Sequence, residues 1–136
     1  AMAAAVADLR KIGGREEKKP NKEIFLKSLG NSLEPTPDLL AELVQRRPQG
    51  QVLLGFAALT GENETIKKDG ERKKLLKGCD LMMANPIDRP NQGFGNKYNG
   101  GFLIGPNDQI RTIPPSAKLV LAHQLLDSLL EISTKN

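Results

Sequence analysis

The sequence predicts an α/β fold, a mostly parallel sheet with helices on its faces. Two observations carry this. Val52–Ala58 (V-L-L-G-F-A-A) and Asp80–Ala84 (D-L-M-M-A) are continuous apolar runs, the mark of strands buried on both faces. They alternate with stretches at helical period, Pro37–Arg47, Asn63–Lys77 and Ser116–Ile132.

Taken in order, Met2–Ala7 (M-A-A-A-V-A) is apolar throughout and reads either as a buried strand or as a helix fragment, since alanine favours helix. A domain that starts on a buried strand is expected to have had something before it. Leu9–Thr36 has no clean period, is charged, and contains Gly13-Gly14, Pro20 and Gly30-Asn31. A connection of that length is expected to be functional or mobile. Pro37 at the first helical position and Asp38 in the first turn open a helix carrying Leu39, Leu40, Leu43 and Val44, which Arg46-Arg47-Pro48 closes. Asn63–Lys77 is a charged amphipathic helix with Ile66, Leu75 and Leu76, and Asn85-Pro86 cuts off the second strand. Asn91–Gly101 reads as a loop or hairpin, and Gly101–Gly105 and Gln109–Ile113 as short strands around a Pro-Asn-Asp turn. The final helix takes Ser116 as its N-cap and sets Leu119, Val120, Ala122, Leu125, Leu126, Leu129 and Leu130 along one face. In such sheets ligands sit beyond the carboxyl ends of the strands, here Ala7-Asp8, Phe56–Thr60 and Ala84-Asn85.

Composition narrows the class. A chain of 136 residues with a 38% hydrophobic fraction fits one domain with a modest core. Four Phe, one Tyr and no Trp leave that core to Leu, Ile, Val, Ala and Met. No apolar stretch approaches the roughly 18–20 residues that cross a bilayer, so a soluble cytoplasmic protein without a membrane partner is expected. The single cysteine, Cys79, excludes an internal disulfide and a zinc cluster, and reads as a core thiol. His123 is the single histidine, mid-helix and without a recognisable catalytic partner; Met82-Met83 reads as core. The net charge of +4 is concentrated: Arg10–Lys27 holds seven basic residues against three acids, and Lys67–Lys77 six against two. Two basic blocks suit a polyanionic ligand, a nucleotide triphosphate or a nucleic acid. Sparse aromatics and the lack of an RNA-stacking motif argue against nucleic acid.

Five motifs in order carry a resemblance. A-A-A-V-A-D at Ala3–Asp8, G-F-A-A at Gly55–Ala58, a K-x-x-x-K helix ending in K-x-x-D (Lys73, Lys77, Asp80), A-N at Ala84-Asn85 and Q-G-F-G at Gln92–Gly95 resemble phosphopantothenate–cysteine ligase. The resemblance implies a three-layer Rossmann-like fold with a small β arm, residues 85–113, for dimerisation. It implies that residues 1–136 are the C-terminal portion of that domain, with 9–36 as the mobile active-site loop. The family's glycine-rich turn and its phosphopantothenate-binding asparagine loop have no counterpart here, so this portion by itself is expected to be inactive. Leu9, Leu59, Asn96-Lys97 and Gly100 depart from the family pattern.

The resemblance further implies a ligase of coenzyme A biosynthesis. The carboxylate of 4′-phosphopantothenate attacks the α-phosphate of CTP, and the amine of L-cysteine then displaces CMP to give an amide. CTP is co-substrate, and Mg²⁺ arrives with it. Lys18 in E-E-K-K-P matches the loop lysine that covers the site, with Lys19 and Lys22 as alternatives. Asp8 matches a residue near the cytidine, Thr36, Pro37, Asp38 and Leu39 a stretch whose backbone reads the cytosine edge, and Phe56 a ring against the nucleotide. Lys73 and Lys77, four apart on one helical face, match contacts to the phosphate tail. Ala4 matches a small residue whose backbone meets phosphopantothenate, and Asn85 is placed with it on the substrate side. No metal ligand is assigned. A homodimer and a fused or partner flavin-dependent decarboxylase are implied. The competing expectations are a non-catalytic nucleotide- or RNA-binding module and a purely structural dimerisation domain.

Overall fold

The computed structural model describes residues 9–11, 33–92 and 95–134. They fall in two units, 1–38 and 39–136. In the first, β1 (Leu9–Lys11) pairs antiparallel with β2 (Leu33–Pro35), Leu9 facing Pro35. The expected long connection is therefore closed at its two ends by a short ladder.

The second unit is a four-stranded sheet between helices. Its elements are α1 (Leu39–Arg46), β3 (Leu54–Leu59), α2 (Asn63–Lys77), β4 (Leu81–Pro86), β5 (Tyr98–Ile104), a short 3₁₀ turn (Pro106–Asp108), β6 (Ile110–Ala117) and α3 (Lys118–Ser133). The sheet order is β3-β4-β5-β6. β3 and β4 run parallel, whereas β5 and β6 continue the sheet antiparallel. The sheet is thus mixed: parallel where β3, α2 and β4 form a crossover unit, antiparallel where tight turns join the later strands.

Each face has its own core. On one, Ile66 of α2 with Leu40 and Val44 of α1 packs on Ala57, Met82, Ala84, Phe102 and Ile104. On the other, Leu121 and Leu125 of α3 pack on Leu81, Met83, Leu103 and Ile113, with Leu129 and Ile132 at the margin. Met82 and Met83 point to opposite faces and are 1% and 0% exposed. Burying such a side chain contributes about 1.5–3 kcal/mol. β4 is buried at every position because it lies inside both the sheet and the helical layers. The three-layer α/β arrangement is the expected one.

Local chemistry explains the boundaries. α2 stops where Gly78 takes φ +70°, and the Gly78 N–H donates to the carbonyls of Lys74 and Leu75. Asp80 holds the following turn: its carboxylate accepts the Leu53 N–H at 2.8 Å and pairs with Arg47. Pro114-Pro115 is tolerated because β6 is an edge strand. At Gly101, φ +144°, β5 passes so near β4 that a Cβ there would lie 2.2 Å from the Ala84 carbonyl oxygen and 2.9 Å from Pro86 Cδ.

Several boundaries differ from the sequence reading. α1 begins at Leu39, so Pro37 lies ahead of the helix rather than at its first position. β4 runs through Asn85-Pro86 because Asn85 and Pro86 still face Ala58 and Leu59 in the parallel ladder. β5 and β6 are longer than expected. Ser116 is not the N-cap of α3: it belongs to β6, facing Asn99, and Ala117 precedes the helix without a side-chain cap. α3 buries the line Leu121, Leu125 and Ser128, leaving Leu119, Val120, Leu126 and Leu130 exposed. Among the described residues no helix is long and apolar enough to cross a membrane.

Candidate functional site

The carboxyl ends of β3 and β4 lie side by side, and the loops that leave them are tied together. Asp88 Oδ2 accepts the Gly61 N–H at 2.8 Å. Arg89 Nη2 donates to the Gly61 carbonyl oxygen at 2.7 Å and to Asn63 Oδ1 at 3.3 Å. Gly61–Asn63 leads into α2, whose first internal bond runs from the Ile66 N–H to the Glu62 carbonyl oxygen at 3.0 Å. The first N–H groups of a helix have no partner within it. α2 therefore presents its amino end, with the partial positive charge of its dipole, at this edge, and Arg89 adds a guanidinium. The Gly61 N–H holds the Asp88 carboxyl below the ordinary aspartate range, with a smaller contribution from Arg89.

Behind the loops the edge is lined by amides. Asn85 is 6% exposed and donates from Nδ2 to the Gly100 carbonyl oxygen at 3.2 Å. Asn96 Nδ2 donates to the Gln92 carbonyl oxygen at 3.0 Å. Gln92 is buried, and its Oε1 and the Ser116 Oγ have no hydrogen-bond partner among the described residues. Such an edge can bind and orient an anionic or amide-bearing ligand. In the first turns of α2, Lys67 pairs with Glu64 at 2.7 Å and lies 5.2 Å from the centroid of the Phe102 ring. The Lys67 bond lowers the pKa of Glu64. Burial pushes the Cys79 thiol up, which suits a packed thiol and not a nucleophile.

The residues expected from the sequence are distributed as follows. Ala4, Asp8, Lys18, Lys19 and Lys22 lie outside the described residues. Thr36, Pro37 and Asp38 follow β2 at the end of the first unit, and Leu39 is the first residue of α1. Phe56 is 63% exposed. The strand was expected to be buried on both faces, but α3 packs on β5 and β6, so β3 shows Phe56 and Ala58 to the surface on that side. Phe56 and Asn85 lie on the neighbouring strands β3 and β4. Lys73 and Lys77 are half-buried on the last turns of α2. Because α2 starts beyond the carboxyl end of β3 and ends where β4 begins, these lysines lie toward the opposite edge of the sheet from Asp88 and Arg89. The residues missed by sequence reasoning are Gly61, Asn63, Asp88 and Arg89. Their one signal was position, just after the strand ends. No group of three or more His, Cys, Asp or Glu side chains that could hold a metal occurs among the described residues.

Comparison with known proteins adds to this. Residues 1–132 match the family described as DNA/pantothenate metabolism flavoprotein C-terminal domain. The chain is 29% identical over 126 residues to the Coenzyme A biosynthesis bifunctional protein CoaBC of Escherichia coli (strain K12), covering 93% of this chain and 30% of that protein. It is 27% identical over 133 residues to a Cysteine/Cysteine sulfinic acid decarboxylase of an unknown prokaryotic organism, covering 96% of this chain and 35% of that protein. The chain thus spans about a third of the length of these relatives. The fold resembles the crystal structure of the C-terminal domain of a CoaBC protein with a TM-score of 0.62 at 19% identity, over 84% of this chain and 63% of that one.

Proposed function

The chain belongs to the DNA/pantothenate metabolism flavoprotein C-terminal domain family, and from that premise we propose that it serves coenzyme A biosynthesis as part of a CTP-dependent ligase joining L-cysteine to 4′-phosphopantothenate. The observation that carries this reading is the extent of the family match, which takes in the tied carboxyl edge, the exposed Phe56 and the basic helix α2 together.

The reaction needs charge neutralised and reactants aligned, because an anionic carboxylate must approach a polyanionic phosphate ester. Attack on the α-phosphate gives an acyl-cytidylate and pyrophosphate; the cysteine amine then displaces CMP. In this reading Phe56 stacks against the nucleotide, Asp8 and the Thr36–Leu39 backbone recognise the cytidine, and Lys18 closes over the developing negative charge. Lys73 and Lys77 take the phosphate tail, which requires a nucleotide laid along α2. Ala4 and Asn85 face phosphopantothenate. Mg²⁺ comes with the CTP phosphates. Residues 85–113 serve dimerisation, and a flavin-dependent decarboxylase is the fused or separate partner; the E. coli relative is itself named as bifunctional.

CTP with Mg²⁺ is expected to raise the Tm of this chain more than ATP or GTP does at matched ionic strength. Equal shifts with all three, or with any polyanion, would favour the second reading, a non-catalytic nucleotide- or RNA-binding module. That reading draws on the six basic residues of Lys67–Lys77.

A further inference from the structure

At the edge of the sheet opposite Asp88 and Arg89, a cavity of about 530 Å³ opens between the β5–β6 turn and the last turns of α3. β5 runs antiparallel to β4, so its last residue, Ile104, lies beside Met82 at the amino end of the parallel pair. The volume is within the range of small-molecule sites.

The lining combines three kinds of surface. Leu81 and Leu103, 3% and 4% exposed, belong to the core, and together with Ile110 and Ile132 they make an apolar wall. Arg111 of β6 reaches α3, where its Nη2 donates to Ser128 Oγ at 2.5 Å and, at 3.4 Å, to the Gln124 carbonyl oxygen. Ser128 Oγ in turn donates to the same carbonyl at 2.8 Å. One nitrogen of the guanidinium is thereby pinned, and no carboxylate pairs with it among the described residues. Glu131, one turn along α3 from Ser128, lines the same cavity and is exposed.

We propose that this cavity binds a small zwitterion with an apolar body, in chemical class an α-amino acid with an aliphatic side chain. The carboxylate goes to the N–H groups of Arg111 that Ser128 and Gln124 leave over, and the side chain loses little freedom on binding because its Nη2 is already held. A plain carboxylate would meet the like charge of Glu131, and a plain amine that of Arg111. A ligand carrying both charges satisfies both, while its side chain covers Leu81, Leu103, Ile110 and Ile132. None of these residues belongs to the carboxyl edge, so the titrations do not read the proposed nucleotide site; Leu103, Ile110 and Arg111 do fall within residues 85–113, the stretch that the ligase reading gives to dimerisation.

The test is calorimetric titration of the chain with L-leucine, 4-methylpentanoate (carboxylate without amine) and 3-methylbutylamine (amine without carboxylate). The same titrations are made on Arg111→Gln and Glu131→Gln. Leucine is expected to bind the parent, with each truncated probe and each variant about tenfold weaker or more, the usual loss for one charged hydrogen-bonded contact. Should Arg111→Gln fail to fold through loss of its Ser128 contact, the exposed Glu131→Gln and the truncated probes decide alone. The proposal is overturned if leucine does not bind at millimolar concentration, if the truncated probes bind as tightly as leucine, or if Glu131→Gln leaves leucine binding unchanged.

Discussion

Asp88 and Gly61 are 27 residues apart in sequence and 2.8 Å apart in space, the carboxylate of one accepting the N–H of the other. This bond ties the loop after β4 to the loop after β3 and so fixes the amino end of α2.

The bond makes the edge sensitive to acid. The folded Asp88 carboxyl is a stronger acid than in the unfolded chain, chiefly through the Gly61 N–H. Its contribution is therefore present above the ordinary aspartate range and is lost as the pH falls through the lowered folded value. The Gly61 amide resonance, followed by NMR, should move with a midpoint below that of an ordinary aspartate, and Asp88→Ala should abolish the movement. A midpoint at the ordinary value would show that the bond does not hold in solution.

Gly70 sits mid-helix in α2, where alanine is favoured by up to about 1 kcal/mol. Here packing opposes propensity: an added Cβ would lie 2.4 Å from Ile104 Cδ1 and 2.9 Å from Ala84 Cβ. Overpacking of this kind costs about 1–3 kcal/mol. Gly70→Ala is expected to lower stability in urea unfolding by roughly 1–2 kcal/mol net. Ile104→Val in that background should recover part of the loss. A stabilised Gly70→Ala would mean that β5 yields freely.

Lys73 and Lys77 decide how a nucleotide would lie. Lys73→Gln with Lys77→Gln should leave the fold intact, because two like charges four apart repel slightly on a helix. If the phosphates lie along α2, CTP affinity should fall by about tenfold or more in calorimetry. An unchanged affinity would assign the phosphates to the amino end of α2, beside Arg89.

The sequence made some of this legible and hid the rest for physical reasons. The bounds of α2 followed from its charged periodic pattern, and β4 from an apolar run that two covered faces require. The exposure of Phe56 was hidden, because an apolar residue in an apolar run looks the same whether or not a helix lies over it. Ser116 matched a cap by type, yet β6 keeps pairing through Ala117 and takes it into the ladder. The Asp88–Gly61 and Arg89–Asn63 contacts depend on which strands are neighbours, and no local pattern encodes that.

The contact at Gly101 reaches beyond the folded molecule. With a carbonyl oxygen 2.2 Å from where a Cβ would stand, the position admits one amino acid. Glycine codons share their first two bases and differ in the third. In a population carrying this gene, base changes at the first two sites of the codon for Gly101 should be purged by selection, while the third drifts at the neutral rate.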